Sequence, residues 1–197
     1  MRRILPLLTL LVGIIFGTSL SAHADTNPCV PTPVIAATPY ATADNSMGTR
    51  DKPIPVGVIG HRTSQDGLRK YDIVIKEAYR GSAVIQKYKT ENGFDPAFPT
   101  EKDKDYLLVY VEAKYIQGPP DGADKLDESV FTVLSDSQFI SPLTLIALNP
   151  KFDTLALPGA TIRGWIVKQV FADDPAPLLV WGIDPSNGNG GMYFSIK

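Results

Sequence analysis

The run Tyr106-Leu107-Leu108-Val109-Tyr110-Val111-Glu112-Ala113-Lys114-Tyr115 decides the fold. Leu107, Val109, Val111, Ala113 and Tyr115 alternate with Leu108, Tyr110, Glu112 and Lys114, and a period of two marks an extended strand whose successive side chains point to opposite sides of a sheet. The first set is apolar throughout and is expected to face a core. The second turns polar towards its end. Gly118-Pro119-Pro120-Asp121-Gly122 then stops the strand, since proline cannot donate to a sheet ladder and glycine accepts turn conformations.

The same texture extends outward from this run. From about Pro53, short stretches of β-branched and aromatic residues are separated by Gly, Pro, Asn and Asp, and they predict strands over 56–60, 71–79, 130–134, 144–148, 161–170, 178–183 and 192–196. With 106–115 these make eight strands in residues 53–197, which suits a two-layer antiparallel β-sandwich. One segment departs from the pattern. Gly81-Ser82 can start and cap a short helix in which Val84, Ile85 and Tyr88 form a narrow apolar stripe, and Asn92-Gly93 can end it. This helix is expected to close one end of the sandwich, and the loop carrying Phe94 and Phe98 to pack its rings against the sheet rim. In the strand 161–170, either Ile162, Ile166 and Val170 or Trp165 and Val167 face inward; both sets are apolar, as in strands that lie mid-sheet.

The chain has 197 residues, of which 44% are hydrophobic, enough for one domain with a core. Its 19 Lys and Arg against 21 Asp and Glu give a net charge of −2, without the basic footprint that nucleic-acid binding requires. Two His and one Cys leave little material for a zinc site or a disulfide framework.

Ahead of the domain, Arg2 and Arg3 precede an apolar run at 4–20, and Ala22-His23-Ala24 offers the small-x-small pattern that signal peptidase accepts. Residues 1–24 are therefore expected to be a signal peptide cleaved after Ala24. Pro6, Gly13 and Gly17 make the same run a poor membrane-spanning helix. Cleavage would leave 17 basic against 21 acidic residues, in a protein secreted or held in the cell envelope, with no membrane contact beyond the signal segment. Cys29 follows closely, but Thr26-Asn27-Pro28 replaces the aliphatic and small residues of a lipobox, so lipidation is not expected and Cys29 reads as an inert linker residue. Residues 25–52, with Pro28, Pro31, Pro33 and Pro39, are expected to be a disordered Pro/Thr/Ala-rich linker ahead of the domain at 53–197.

The order Glu77-Ala78-Tyr79-Arg80-Gly81, Asn92-Gly93-Phe94, Asp105-Tyr106-Leu107-Leu108-Val109 and Lys114-Tyr115 resembles the exported bacterial domain of unknown function 4352. Leu157-Pro158-Gly159-Ala160-Thr161-Ile162-Arg163-Gly164-Trp165-Ile166-Val167, followed by Asp173-Asp174-Pro175 and Leu178-Leu179-Val180, is similar to that family's closing strands. The similarity covers about residues 54–197. It implies an immunoglobulin-like or telokin-like β-sandwich in a secreted protein or lipoprotein, and carries over no catalytic residue. The chain departs from the family at Lys168, where an aromatic is frequent, and in lacking a lipobox. The expected architecture is therefore all-β: an immunoglobulin-like antiparallel sandwich with one short helix.

Few residues invite a chemical role. His61, Ser64 and Asp66 fall within one turn and cannot easily converge as a nucleophile, base and orienter, and Asp66-Gly67 is a common turn pair. Trp165 and Trp181 would bind sugar faces if exposed, but buried packing is expected. Asp121, Asp124, Asp127 and Glu128 are weak candidates for a calcium loop; they lack EF-hand spacing, and Lys125 interrupts them. Asp173-Asp174-Pro175 reads as a turn, and Gly188 to Gly191 as a hairpin loop. The expected function is a non-enzymatic exported binding or structural module without catalytic residues or cofactor, whose partner is an extracellular or envelope protein or glycan. The alternative is a carrier for a small ligand or Ca²⁺, using the acidic loop or the loop between Phe94 and Phe98.

Overall fold

The alternating run lies inside β4 (Lys104–Gln117), which is flanked in antiparallel register by β3 (Lys70–Arg80) and β9 (Thr161–Phe171). The computed structural model describes residues 40–64, 66–93, 102–140, 148–184 and 190–197. β2 (Val58–Thr63) pairs with β3, and β1 (Ala41–Thr42) runs parallel to β2, giving a five-stranded sheet in the order β1-β2-β3-β4-β9. A four-stranded sheet has the order β11-β10-β6-β7, built from β6 (Phe131–Ser135), β7 (Gln138–Ile140), β10 (Leu178–Ile183) and β11 (Gly190–Ser195). β5 (Asp124–Asp127) and β8 (Asp153–Ala156) form a separate ribbon, and a 3-10 turn, Glu128–Val130, leads from β5 into β6.

The two larger sheets stack face to face as an immunoglobulin-like β-sandwich. Ile73, Ile75, Val109, Val111, Tyr115 and Ile166 from one sheet share a buried core with Phe131, Val133, Leu179, Trp181 and Phe194 from the other. Complete burial of each such side chain contributes about 1.5–3 kcal/mol, so the inward face of β4 alone is a large part of the driving force. Leu107, Val109, Val111, Ala113 and Tyr115 all belong to this core, as their alternation predicts.

Both faces of β9 are buried, against different layers. Ile162, Ile166 and Val170 enter the sandwich core, whereas Trp165 and Val167 join Tyr106 and Leu108 on the outer face of the sheet. α1 (Ser82–Asn92) covers that outer cluster through Val84 and Tyr88. The helix thus lies on a sheet face and does not close an end of the sandwich. Its predicted bounds hold: Gly81 precedes it, and Gly93 ends it in the left-handed region at φ 71°. Burial pushes the Tyr88 hydroxyl up to about 12, with the Glu128 charge acting in the same direction.

Other expectations need correction. The linker expected to reach residue 52 enters the fold from Tyr40 onward, because Ala43 donates its N–H to the Ile59 carbonyl at 2.8 Å and Met47 packs on the core. Ile54, only 1% exposed, exchanges hydrogen bonds with Tyr193 and Ser195. The residues around Ala43 cover the β2 edge, and those at Gly48 and Ile54 the β11 edge, where unpaired backbone groups would otherwise face solvent. β2 is displaced towards the C-terminus from the expected 56–60, and β5, β7 and β8 lie where no strand was expected. They are three or four residues long and partly polar, so their sequence carries little periodicity. The strand expected at 144–148, the loop from Phe94 to Phe98, the segment 1–39 and residues Gly188 and Asn189 lie outside the described residues, apart from Leu148.

The β6–β7 hairpin turns on Asp136 and Ser137, both at positive φ (46° and 62°), as in a two-residue type I′ turn. Ser137→Gly is expected to raise stability by about 0.5–1 kcal/mol, since glycine takes this conformation without strain. The exposed hydrogen bond from Arg50 to the Ser137 hydroxyl is lost with it and subtracts only part of the gain. Chemical denaturation of the two proteins checks this, and an unchanged or lower midpoint contradicts it.

Candidate functional site

The inward-facing end of β2 and β3 is unlike the rest of the core because it is amphipathic. Arg62 pairs in register with Tyr71, so both side chains point towards the opposite sheet. Tyr71 stacks on Tyr115 with ring centroids 5.0 Å apart and tilts against Trp181 at 5.8 Å. Its hydroxyl donates to the Asp124 carboxylate. Burial first, and then the hydrogen bond to Asp124 and its charge, push the Tyr71 phenol far above its ordinary value, so it stays a protonated donor. Arg62 crosses to the second sheet and donates from Nη2 to the Gly182 carbonyl at 3.2 Å. It is half-buried, and desolvation lowers its pKa.

These residues frame a cleft of about 1010 Å³ at one end of the sandwich. Its apolar wall includes Leu126, Val130, Phe131 and Trp181; Arg62, Thr63 and Asp184 lie on its polar side. Phe139, 48% exposed, stands at the rim. The volume is at the upper limit of the roughly 300–1,000 Å³ typical of small-molecule sites, and the composition is similar, a mostly apolar lining with a few fixed polar groups.

The acidic candidates are divided among separate tasks. Asp124 accepts from Tyr71, Asp127 caps the 3-10 turn by accepting from the Ser129 N–H at 2.8 Å, and Asp121 is exposed in the turn after β4. Asp127 and Glu128 border a second cavity of about 220 Å³, but Lys151 also lines it. Among the described residues no group of three His, Cys, Asp or Glu side chains is placed to hold a metal ion. The solvated loop expected at 121–128 is largely a strand and a 3-10 turn, because β8 supplies a partner and Lys125 pairs with Asp153 across it.

His61, Ser64 and Asp66 do not form a relay. His61 Nδ1 lies 2.5 Å from Asp72 Oδ1 on the exposed side of β2, while the Ser64 hydroxyl donates to Asp66 and accepts the Arg69 N–H. The second pair closes the β2–β3 turn. Trp165 and Trp181 are both buried, at 6% and 4% exposure.

No family model matches the chain, and no curated protein sequence matches it. Similarity is found among solved structures. A secreted protein of Mycobacterium tuberculosis, MPT63, aligns with a TM-score of 0.49 and 16% identity, over 73% of this chain and 97% of that one. A Bacillus subtilis protein described as a lipoprotein aligns with a TM-score of 0.43 and 16% identity, over 70% of this chain and 38% of its own length. Among the described residues no helix is long and apolar enough to cross a membrane.

Two features had little sequence signal. Arg62 reads as an ordinary polar position in a half-exposed strand; only the approach of β10 turns it into a bridge between sheets. Lys168, on the inward face of β9, is 4% exposed and donates from Nζ to the Glu128 carbonyl at 2.8 Å. Burial depresses its pKa, with the Glu128 and Asp127 charges opposing that shift. A lowered folded pKa means that the native state binds this proton less well than the unfolded chain does. Its penalty is present at neutral pH and is relieved as pH rises through the folded value towards the unfolded one near 10.4. Lys168→Met should therefore flatten the alkaline rise in stability while changing stability at pH 7 by less than about 1.5 kcal/mol, since the volume is similar. Denaturation midpoints of both proteins from pH 7 to 10 test this; parallel curves contradict it.

Proposed function

We propose that this protein is an exported, non-enzymatic binding module, acting in the cell envelope or outside the cell, that holds a small ligand in the cleft beside Trp181. The observation that carries this reading is the cleft itself: about 1010 Å³, walled by Phe131 and Trp181 and bordered by a half-buried arginine. The signal-like residues 1–24 support export. The engagement of His61 with Asp72, and of Ser64 with Asp66 and Arg69, supports a non-enzymatic role, since each side chain already serves a local structural pair. Membership of the exported family of unknown function 4352 is part of the same proposal, supported by the strand from Thr161 through Gly164-Trp165.

Binding of the uncharged fluorophore N-phenyl-1-naphthylamine tests the site. Ile183 lines the cleft, is half-buried, and shares the inward face of β10 with Trp181, so Ile183→Trp should fill the space beside it. Saturable binding at one site per chain, lost in Ile183→Trp with an unchanged melting temperature, is the expected result. Binding that survives the substitution, or none at all, overturns this assignment of the site.

A second reading, docking of a protein or glycan, is favoured by Leu155 and Leu157, which are 67% and 53% exposed in and just after β8. Contiguous exposed apolar surface marks partner sites. Loss of capture of an envelope component in Leu155→Ser/Leu157→Ser, with N-phenyl-1-naphthylamine binding intact, would select this reading.

A further inference from the structure

We propose that the cleft takes a single-chain amphiphile with one anionic head, the head received by Arg62 and the chain laid along Leu126, Phe131 and Trp181. This rests on the assignment of the cleft as a ligand site and adds the chemistry of the ligand.

Arg62 supplies the reason for an anion. Among the described residues no carboxylate pairs with it, and the three other charged groups of the cleft are engaged elsewhere: Asp124 accepts from Tyr71, Lys125 pairs with Asp153, and Asp184 has a partner of its own. Among the described residues its hydrogen bond goes to the neutral Gly182 carbonyl, through one nitrogen of a fork that carries five N–H donors. A partly desolvated guanidinium without a counter-ion is costly, and a carboxylate or phosphate matches its planar fork with two parallel hydrogen bonds.

The backbone around Arg62 keeps that approach open. Gly182 and Gly190 both have positive φ, 64° and 74°, and a Cβ at Gly190 would lie 3.3 Å from Arg62 Nη2. Side chains at these positions would crowd the guanidinium and carry backbone strain; their absence leaves a concave floor beside the cation.

The wall supplies the reason for a chain. Leu126, Phe131 and Trp181 border the cleft with only 1%, 2% and 4% of their surface open, and Phe139, 48% exposed, supplies the open apolar surface at the rim. A free inorganic anion would leave the Phe139 surface wet. An acyl or alkyl chain buries the wall and delivers its head to Arg62.

Titration of the purified protein with dodecanoate, dodecyl phosphate and dodecanol, each below its aggregation concentration, separates the parts. Trp181 lines the cleft while Trp165 lies under α1, so a fluorescence change lost in Trp181→Phe, with binding still recorded by calorimetry, reports occupancy of this cleft. The expected result is saturable binding of both anions, weakened about tenfold or more by Arg62→Gln and less by Arg62→Lys. Dodecanol should bind the parent and Arg62→Gln alike, which also shows that the variant is folded. Equal binding of anions and alcohol, unaffected by Arg62→Gln, overturns the role of Arg62 and leaves the cleft as an apolar site. Failure of all three probes, together with failure of N-phenyl-1-naphthylamine, overturns the ligand site as well.

Discussion

Gly164→Ala is expected to lower stability by about 3 kcal/mol or more. Gly164 sits within β9, opposite Val111 on β4, where the backbone of Lys151 and Phe152 crosses against it. A Cβ there would lie 2.2 Å from the Phe152 nitrogen and 2.3 Å from the Lys151 carbonyl carbon. The obstacle is backbone, which cannot rotate aside as a side chain does. Trp165 donates its N–H to the Pro150 carbonyl at 2.8 Å and accepts from the Phe152 N–H at 3.1 Å, so the crossing segment is tied to β9 on either side of the contact. Moving it would break those bonds and displace Phe152, a fully buried side chain whose ring packs edge-on against Phe131 and Trp181. Gly159→Ala is the matched control. Gly159 has φ 94° but nothing within 4 Å of the added carbon, so its cost is conformational strain alone, about 1–2 kcal/mol. Thermal unfolding of both variants decides the matter. A Gly164→Ala midpoint no lower than that of Gly159→Ala contradicts the close approach.

The second large effect is expected at Asp174. Asp174→Ala should cost about 2–4 kcal/mol, because it leaves three donors at the turn between β9 and β10 without their acceptor. The Ser135 hydroxyl donates to Oδ2 at 2.7 Å and the Asp136 N–H at 2.8 Å, while the Ala176 N–H donates to Oδ1 at 2.9 Å. Ser135 is 1% exposed and also accepts from the Phe171 N–H at 3.0 Å, so its hydroxyl is oriented from both sides. Arg80, at the end of β3, holds the same turn, donating to the Asp174 and Phe171 carbonyls at 2.6 Å each. The carboxylate therefore ties the β6–β7 hairpin to the β9–β10 turn.

The pH dependence of this tie follows from the same contacts. Burial raises the Asp174 pKa, but the donors from Ala176, Ser135 and Asp136 outweigh it and hold the carboxyl below its usual range. A depressed folded pKa contributes stability that is complete above the unfolded value of about 3.9 and is lost as pH falls through the folded value. Asp174→Asn, which removes this titration, should lose less stability than the parent between pH 4 and the acid limit. An identical acid slope in parent and variant would contradict the assignment of this carboxylate as the tie.

Alternation in the primary structure was enough for β4. In β4 the apolar set from Leu107 to Tyr115 is continuous and the opposite set ends in Glu112 and Lys114, so one face was determined before any partner was known. The helix was equally legible, because Gly81 and Gly93 bracket a stripe with helical spacing. β9 was not. With Ile162, Ile166 and Val170 on one side and Trp165 and Val167 on the other, its periodicity is satisfied by either orientation, and only α1, arriving over the outer face, gives Trp165 a place to be buried. The short strands β5 and β8 have the same ambiguity in stronger form. Each is stabilised by pairing with a segment about thirty residues away, and local pattern carries no record of such a partner.

By itself, then, the order of residues determined a two-layer β-sandwich with a helical insertion, since these depend on local periodicity and turn chemistry. Tertiary structure alone decided where the helix sits, that the chain joins the fold from Tyr40, and that Arg62, Tyr71, Phe131 and Trp181 meet around one cleft. Those residues come from different strands of two sheets. Their approach is set by how the sheets stack, and a side chain half-buried beside an apolar wall has the same letter in the sequence as one that lies in open water.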